Sequence, residues 1–147
     1  MAPEEPQIQA PARIMVADDE PGVLMVTKAV LESLGHVPVL VSSGEEAVES
    51  YREHMDNGER IDLTIMDLTF PGGMTGIEAA HALLAIDPGV RVIAASGYLE
   101  QGAGQRFREE GFFGVLHKPV TVEKLKQIVH WGLSKVATAW SPPHERG

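Results

Sequence analysis

Two aspartates, Asp18 and Asp19, close the apolar run Arg13–Ala17, and a third, Asp67, closes a second run that begins at Ile61. Ser96 ends the run VRVIAAS and Lys118 ends GVLHK. A short apolar stretch that stops at a carboxylate reads as a buried parallel strand whose C-terminal end opens to water. Four such ends carry Asp-Asp, Asp, Ser and Lys, in that order. If they share one rim, the set has a carboxylate nucleophile, acidic groups for a cation, a hydroxyl donor and a fixed ammonium. That combination suits a site that accepts a phosphoryl group.

Asp67 is the expected nucleophile, holding the group as an acyl phosphate. Its approach to an anionic donor beside two more carboxylates is unfavourable, since two unit charges 4 Å apart repel by about 4 kcal/mol at an effective dielectric of 20. A cation is therefore required, and Mg²⁺ fits, because it takes few protein oxygens and keeps waters and a phosphate oxygen. Asp19 and Asp67 are expected to ligate it directly, Asp18 through water, and the main-chain carbonyl of Thr69 completes the protein share. Lys118 is expected to pair with Asp67 and then with a phosphoryl oxygen, while the Ser96 hydroxyl donates to another.

The elements that must position these residues follow from periodicity and punctuation. Strands are predicted at 13–18, 37–41, 62–67, 90–95 and 114–116, alternating with helices at 21–34, 44–55, 76–86, 100–110 and 121–136. Gly35 closes the first helix, Ser42 or Ser43 caps the second, Asn57-Gly58 marks a turn and Asp87-Pro88-Gly89 stops the third helix. Five βα units with right-handed crossovers predict an α/β, flavodoxin-like doubly wound (βα)5 fold with a five-stranded parallel sheet in the order 2-1-3-4-5. That order puts the first, third, fourth and fifth strand ends around one crevice, where open sheets bind ligands.

Composition agrees. The 147 residues suit one domain, and 44% hydrophobic with only 5% aromatic residues implies an aliphatic core. Asp and Glu number 21 against 12 Lys and Arg, a formal charge of -9 that repels phosphodiester backbones, so no nucleic-acid partner is expected. Cysteine is absent, which excludes disulfides, thiolate metal sites and Cys nucleophiles. No membrane span or apolar leader is visible, so the expected location is cytoplasmic. Residues 1–12, with three prolines, read as a flexible linker or tail, 13–136 as the folded domain, and 137–147 as a C-terminal tail or helix extension. In the last helix Leu125, Ile128, Val129, Leu133, Val136 and Trp140 fall at helical spacing, a stripe long enough to suggest a homodimer surface.

Over residues 13–136 the chain resembles the receiver domain of two-component response regulators, which are CheY-like proteins. The matching motifs are Asp18-Asp19-Glu20, Asp67 with Pro71 and Gly76, Ser96, and Lys118-Pro119. The resemblance implies that Asp67 takes phosphate from a sensor histidine kinase or a phosphotransfer protein in a Mg²⁺-dependent step. It also implies a cis Lys118-Pro119 bond, and a domain that catalyses only its own phosphorylation and dephosphorylation. The segment MDLTFPGGMTG has one residue more between Pro71 and Gly76 than the commoner receiver loop, and with the later SGY it is most similar to receivers at the C-terminus of hybrid sensor kinases.

The chain departs from the family at Val115, where receivers usually carry a Tyr or Phe that swings inward on activation. Phe112 and Phe113 are out of register and read as core or loop anchors, and Tyr98, two residues past Ser96, is either a candidate reporter or a residue that only restricts water access. Three rivals fare worse. A phosphatase of the haloacid dehalogenase type wants a second Asp where Thr69 stands, a flavin carrier wants a phosphate-binding loop after the first strand, and a domain that has lost phosphorylation would show a gap among these residues. The six histidines have no metal-ligand spacing and none lies in a recognisable kinase phosphorylation helix. Nothing after residue 136 is long enough for a DNA-binding output domain, so output is expected through protein contact, phosphate relay, or regulation of a kinase to which this segment was once joined.

Overall fold

The computed structural model describes residues 11–97 and 103–134. Ten elements alternate along the chain: β1 (Arg13–Ala17), α1 (Pro21–Ser33), β2 (Val37–Val41), α2 (Gly44–Asp56), β3 (Leu63–Asp67), α3 (Gly76–Ile86), β4 (Val92–Ser96), α4 (Ala103–Glu109), β5 (Gly114–His117) and α5 (Val122–Gly132). The strands form one parallel sheet ordered β2-β1-β3-β4-β5, as the sequence predicts. Because side chains alternate across a strand, each strand feeds two cores. Ile14 and Val16 pack with Leu31, Ile128 and Val129 beneath α1 and α5. Met15 and Ala17 pack with Tyr51, Ala79 and Leu83 beneath α2 and α3.

Local chemistry starts four of the five helices. Pro21 opens α1 at a position where its missing N–H costs nothing. The Ser43 hydroxyl accepts from the Glu46 amide at the start of α2, a capping box of Thr75 and Glu78 opens α3, and the Thr121 hydroxyl accepts from the Lys124 amide at the start of α5. Among the described residues no helix is long and apolar enough to cross a membrane.

The last helix is shorter than its periodicity predicts. It ends at Gly132 rather than near residue 136, because Arg91, just before β4, donates from Nη1 to the carbonyls of Gly132 (2.7 Å) and Ser134 (2.6 Å). A cation at a helix C-terminus satisfies orphan carbonyls and complements the dipole. The guanidinium also lies 4.8 Å from the centre of the Phe113 ring, which packs on Trp131. Leu125, Ile128, Val129 and Leu133 are all buried in the core, so the described part of the apolar stripe faces inward. Val136 and Trp140, on which a homodimer surface would then rest, lie outside the described residues. Likewise β4 begins at Val92 rather than Val90, since Val90 closes the Asp87 turn by donating to the Asp87 carbonyl.

Two positions in this scaffold make stability predictions. The Thr64 hydroxyl in the middle of β3 is fully buried without a hydrogen-bond partner. An unmet buried hydroxyl costs about 1–3 kcal/mol, so Thr64→Val, nearly equal in shape, should raise stability by about 1 kcal/mol in urea denaturation. A lowered midpoint would show that the hydroxyl does bond in solution. His36 accepts the Ala12 amide on Nδ1 (3.0 Å), which requires that nitrogen to be unprotonated. Burial pushes its pKa below the usual 6.5, with Asp62 pulling weakly the other way. The unfolded chain therefore takes the proton first as pH falls through 6.5, and stability is lost in that window and kept above it. The drop in melting temperature from pH 7.5 to 5.5 should be smaller in His36→Asn, whose Oδ1 takes the place of Nδ1 and can still accept from Ala12.

Candidate functional site

The strand ends converge as the topology requires. Asp67 is the last residue of β3, Ser96 the last of β4, Asp18 follows β1 and Lys118 follows β5. Backbone hydrogen bonds fix the rim: the Asp18 amide donates to the Val41 carbonyl, the Leu68 amide to Ala95 and the Lys118 amide to Ser96 (2.8 Å). One carboxylate oxygen from each of Asp18, Asp19 and Asp67 lies within 4.8 Å of the others. Asp18 and Asp67 are buried, at 3% and 6% exposure, and Asp19 stands in solvent at the mouth.

Lys118 serves both buried acids. Its Nζ lies 2.7 Å from Asp18 Oδ2 and 3.1 Å from Asp67 Oδ2. Burial alone would lower the ammonium pKa, but the hydrogen bonds and charges of Asp18 and Asp67 outweigh it, so the net shift is upward and the cation is held. The remaining oxygens are fixed by main chain: Asp18 Oδ1 accepts from the Glu20 amide (2.9 Å) and Asp67 Oδ1 from the Thr69 amide (3.1 Å). Both oxygens of Asp67 are thus oriented before any ligand arrives. The Lys118-Pro119 peptide is cis, as the resemblance implies.

Past Asp67 the chain runs through residues 68–75 to α3. Gly72 and Gly73 take φ of +75° and +66°, a region L side chains avoid. At Gly76 any Cβ would overlap the main-chain oxygen of Asp67 and the start of Leu68, so only glycine lets α3 begin this close to the acid. Glu45, from the first turn of α2, reaches this loop and accepts the Met74 amide (3.1 Å).

The structure brings together Asp18, Asp19, Asp67 and Lys118, with Ser96 buried at the adjacent strand end and Thr69 two residues past Asp67. Val115 is buried in β5 beside Ala94, and no ring occupies that position. Phe112 is core, edge-on to Phe107, and Phe113 anchors Trp131. Tyr98 lies outside the described residues. Sequence reasoning missed two contacts. It paired Lys118 with Asp67 alone, although the order of strands already placed Asp18 next to Asp67 within reach of a long side chain. It also gave Glu45 no part, and the only signal for it was the extra residue in a glycine-rich loop, which needs an outside tether.

The chain is similar to several known proteins. ComA, a transcriptional regulatory protein of Bacillus subtilis strain 168, is 28% identical over 118 residues, spanning 80% of this chain and 54% of that protein. The virulence sensor protein BvgS of Bordetella pertussis is 31% identical over 149 residues, 95% of this chain but 11% of BvgS. The chain thus spans about half of one relative and about a tenth of the other. Among solved structures, a LuxR-family two-component response regulator from Aurantimonas sp. SI85-9A1 superposes with a TM-score of 0.77 at 27% identity, covering 92% of this chain and 93% of that one. A chain of the CheX–CheY–BeF3–Mg²⁺ complex from Borrelia burgdorferi gives 0.72 at 26% identity, covering 80% and 86%. Residues 14–130 match the family model described as the response regulator receiver domain. With that match falling on the five strands that build the carboxylate and lysine rim, the chain belongs to the response regulator receiver domain family.

Proposed function

We propose that this chain is a phosphoacceptor in a two-component or phosphorelay system, with Asp67 the residue that receives phosphate from a phosphohistidine. The observation that carries the reading is the buried Asp67 carboxylate, held by Lys118 on one oxygen and by the Thr69 amide on the other. In the transfer, an Asp67 oxygen forms a bond to phosphorus as the P–N bond breaks, and the electron pair stays on the donor imidazole. Lys118 stays beside the phosphoryl oxygens, and Ser96, at the neighbouring strand end, donates to one of them. Asp18, Asp19, Asp67 and the Thr69 carbonyl would hold Mg²⁺, which suits the clustering of one oxygen from each of the three acids within 4.8 Å. Bound there, the dication offsets the charge of the phosphoryl group against the carboxylates.

A macromolecular donor fits the surface beside the rim. An open, mainly apolar groove of about 570 Å³ lies between α1 and the start of α5, bordered by Val26, Val122, Gly97 and Lys118. Val26 and Val122 are 58% and 43% exposed. A helical face of a sensor histidine kinase or phosphotransfer protein seated there would present its histidine to Asp67, and such a donor implies a cytoplasmic location. The acceptor unit is taken as residues 13–136, and its only catalysis is gain and loss of its own phosphate.

The test is direct. Incubation with a small acyl phosphate and Mg²⁺ should add one hydroxylamine-sensitive phosphoryl group, and mass mapping should place it on the peptide carrying Asp67. Chelation with EDTA should suppress it. Label on a serine or histidine peptide instead would defeat the proposal.

A further inference from the structure

Between Asp67 and α3 the chain is tied at both ends by local hydrogen bonds. At its start the Thr69 amide binds Asp67 Oδ1, and at its end the Gly76 amide donates to the Leu68 carbonyl (3.3 Å). The stretch between contains two adjacent glycines in the left-handed region, which by themselves impose little on the backbone. Phe70 and Met74 rest against the core beneath α2 and α3, and α2 adds a polar tie to the glycine stretch. The Glu45 carboxylate takes the Met74 amide, and its Oε2 lies where a Gly73 side chain would begin, 2.5 Å from an ideal Cβ. Gly44 brings the helix close enough for this: a Cβ there would stand 3.3 Å from the Met74 carbonyl and 3.2 Å from Ala79. A carboxylate from the first turn of one helix therefore fixes the loop that carries Thr69.

We propose that Glu45 is a positioning residue for the metal site: by holding Gly73 and Met74 it sets the placement of the Thr69 carbonyl, and so the affinity for Mg²⁺. The inference rests on the phosphoacceptor reading for the role of that carbonyl. Glu45 does not touch the metal or the phosphoryl group, and acts only through the loop. Its amide-accepting oxygen is the operative feature rather than its charge, since a glutamine in its place still offers a carbonyl oxygen to Met74.

Isothermal titration with Mg²⁺ alone, run beside acyl-phosphate labelling across a Mg²⁺ series, separates these effects. Glu45→Ala should raise the Mg²⁺ dissociation constant, and the Mg²⁺ concentration for half-maximal labelling, by about 5- to 10-fold, a loss of roughly 1 kcal/mol of hydrogen bonding expressed at the metal. Its labelling rate at saturating Mg²⁺ should stay within twofold of wild type. Glu45→Gln should stay within twofold throughout. A folded Glu45→Ala protein, by circular dichroism, with wild-type Mg²⁺ affinity overturns the proposal, and so does Glu45→Gln behaving like Glu45→Ala, which would make charge the cause. If the wild type binds Mg²⁺ but takes no label at Asp67, the phosphoacceptor reading fails while the titrations still judge Glu45. A wild type that binds no Mg²⁺ overturns both.

Discussion

Replacing Asp67 with Asn should cut phosphoryl uptake from an acyl phosphate more than about 1,000-fold, because an amide is not a competent nucleophile and no other carboxylate holds its place at the end of β3. The change is close to isosteric. The amide oxygen still accepts from Thr69, and Lys118 keeps its 2.7 Å contact with Asp18, so the fold should persist with little change in the circular dichroism spectrum. Intact-protein mass spectrometry after timed exposure to acyl phosphate and Mg²⁺ reads the effect. Wild-type labelling in Asp67→Asn would mean that Asp18 or Asp19 is the true acceptor.

Lys118→Ala carries the second large effect, and it acts on two quantities with different remedies. Without the ammonium, two carboxylates that are 3% and 6% exposed face each other with no cation. Breaking a buried ion pair by removing one partner costs about 3–5 kcal/mol, and because the Lys118 side chain is 21% exposed the loss here should be nearer about 2–3 kcal/mol in metal-free urea denaturation. Millimolar Mg²⁺ should recover most of that, since it supplies positive charge to the same oxygens. Labelling at saturating Mg²⁺ should nevertheless stay about 10- to 100-fold slow, because the metal does not replace a donor aimed at the phosphoryl oxygens. Metal-free stability equal to wild type would show that the two contacts of Lys118 add nothing to the fold.

Much of this was legible in the sequence because local and global signals agree. The predicted strands 13–18 and 62–67 end on Asp18 and Asp67, Gly35 and Gly58 sit at positive φ at the predicted helix end and turn, and Ser43 caps α2. Asp18, Asp67, Ser96 and Lys118 were placed by counting apolar residues to the end of each run. What sequence did not yield depends on groups far apart in the chain. The end of α5 is set by Arg91, 41 residues before Gly132, so the apolar stripe alone overran it. The sharing of Lys118 with Asp18 spans 100 residues, and the reach of Glu45 to Met74 spans 29. No local preference encodes such contacts, because they exist only once the sheet has set the distances.

Helix α5 is held very differently at its two ends. At its far end Arg91 ties the carbonyls of Gly132 and Ser134 to the start of β4, with Phe113 and Trp131 stacked against the joint. At its near end, the short span from Lys118 through Pro119 to Thr121 links it to the ammonium that sits between Asp18 and Asp67. A rod clamped at one end and tugged at the other pivots. A shift of Lys118 toward a new anion would therefore swing the first turn of α5 around Val122, while the last turn stayed as a fulcrum. That first turn is also the part of α5 that borders the groove shared with α1.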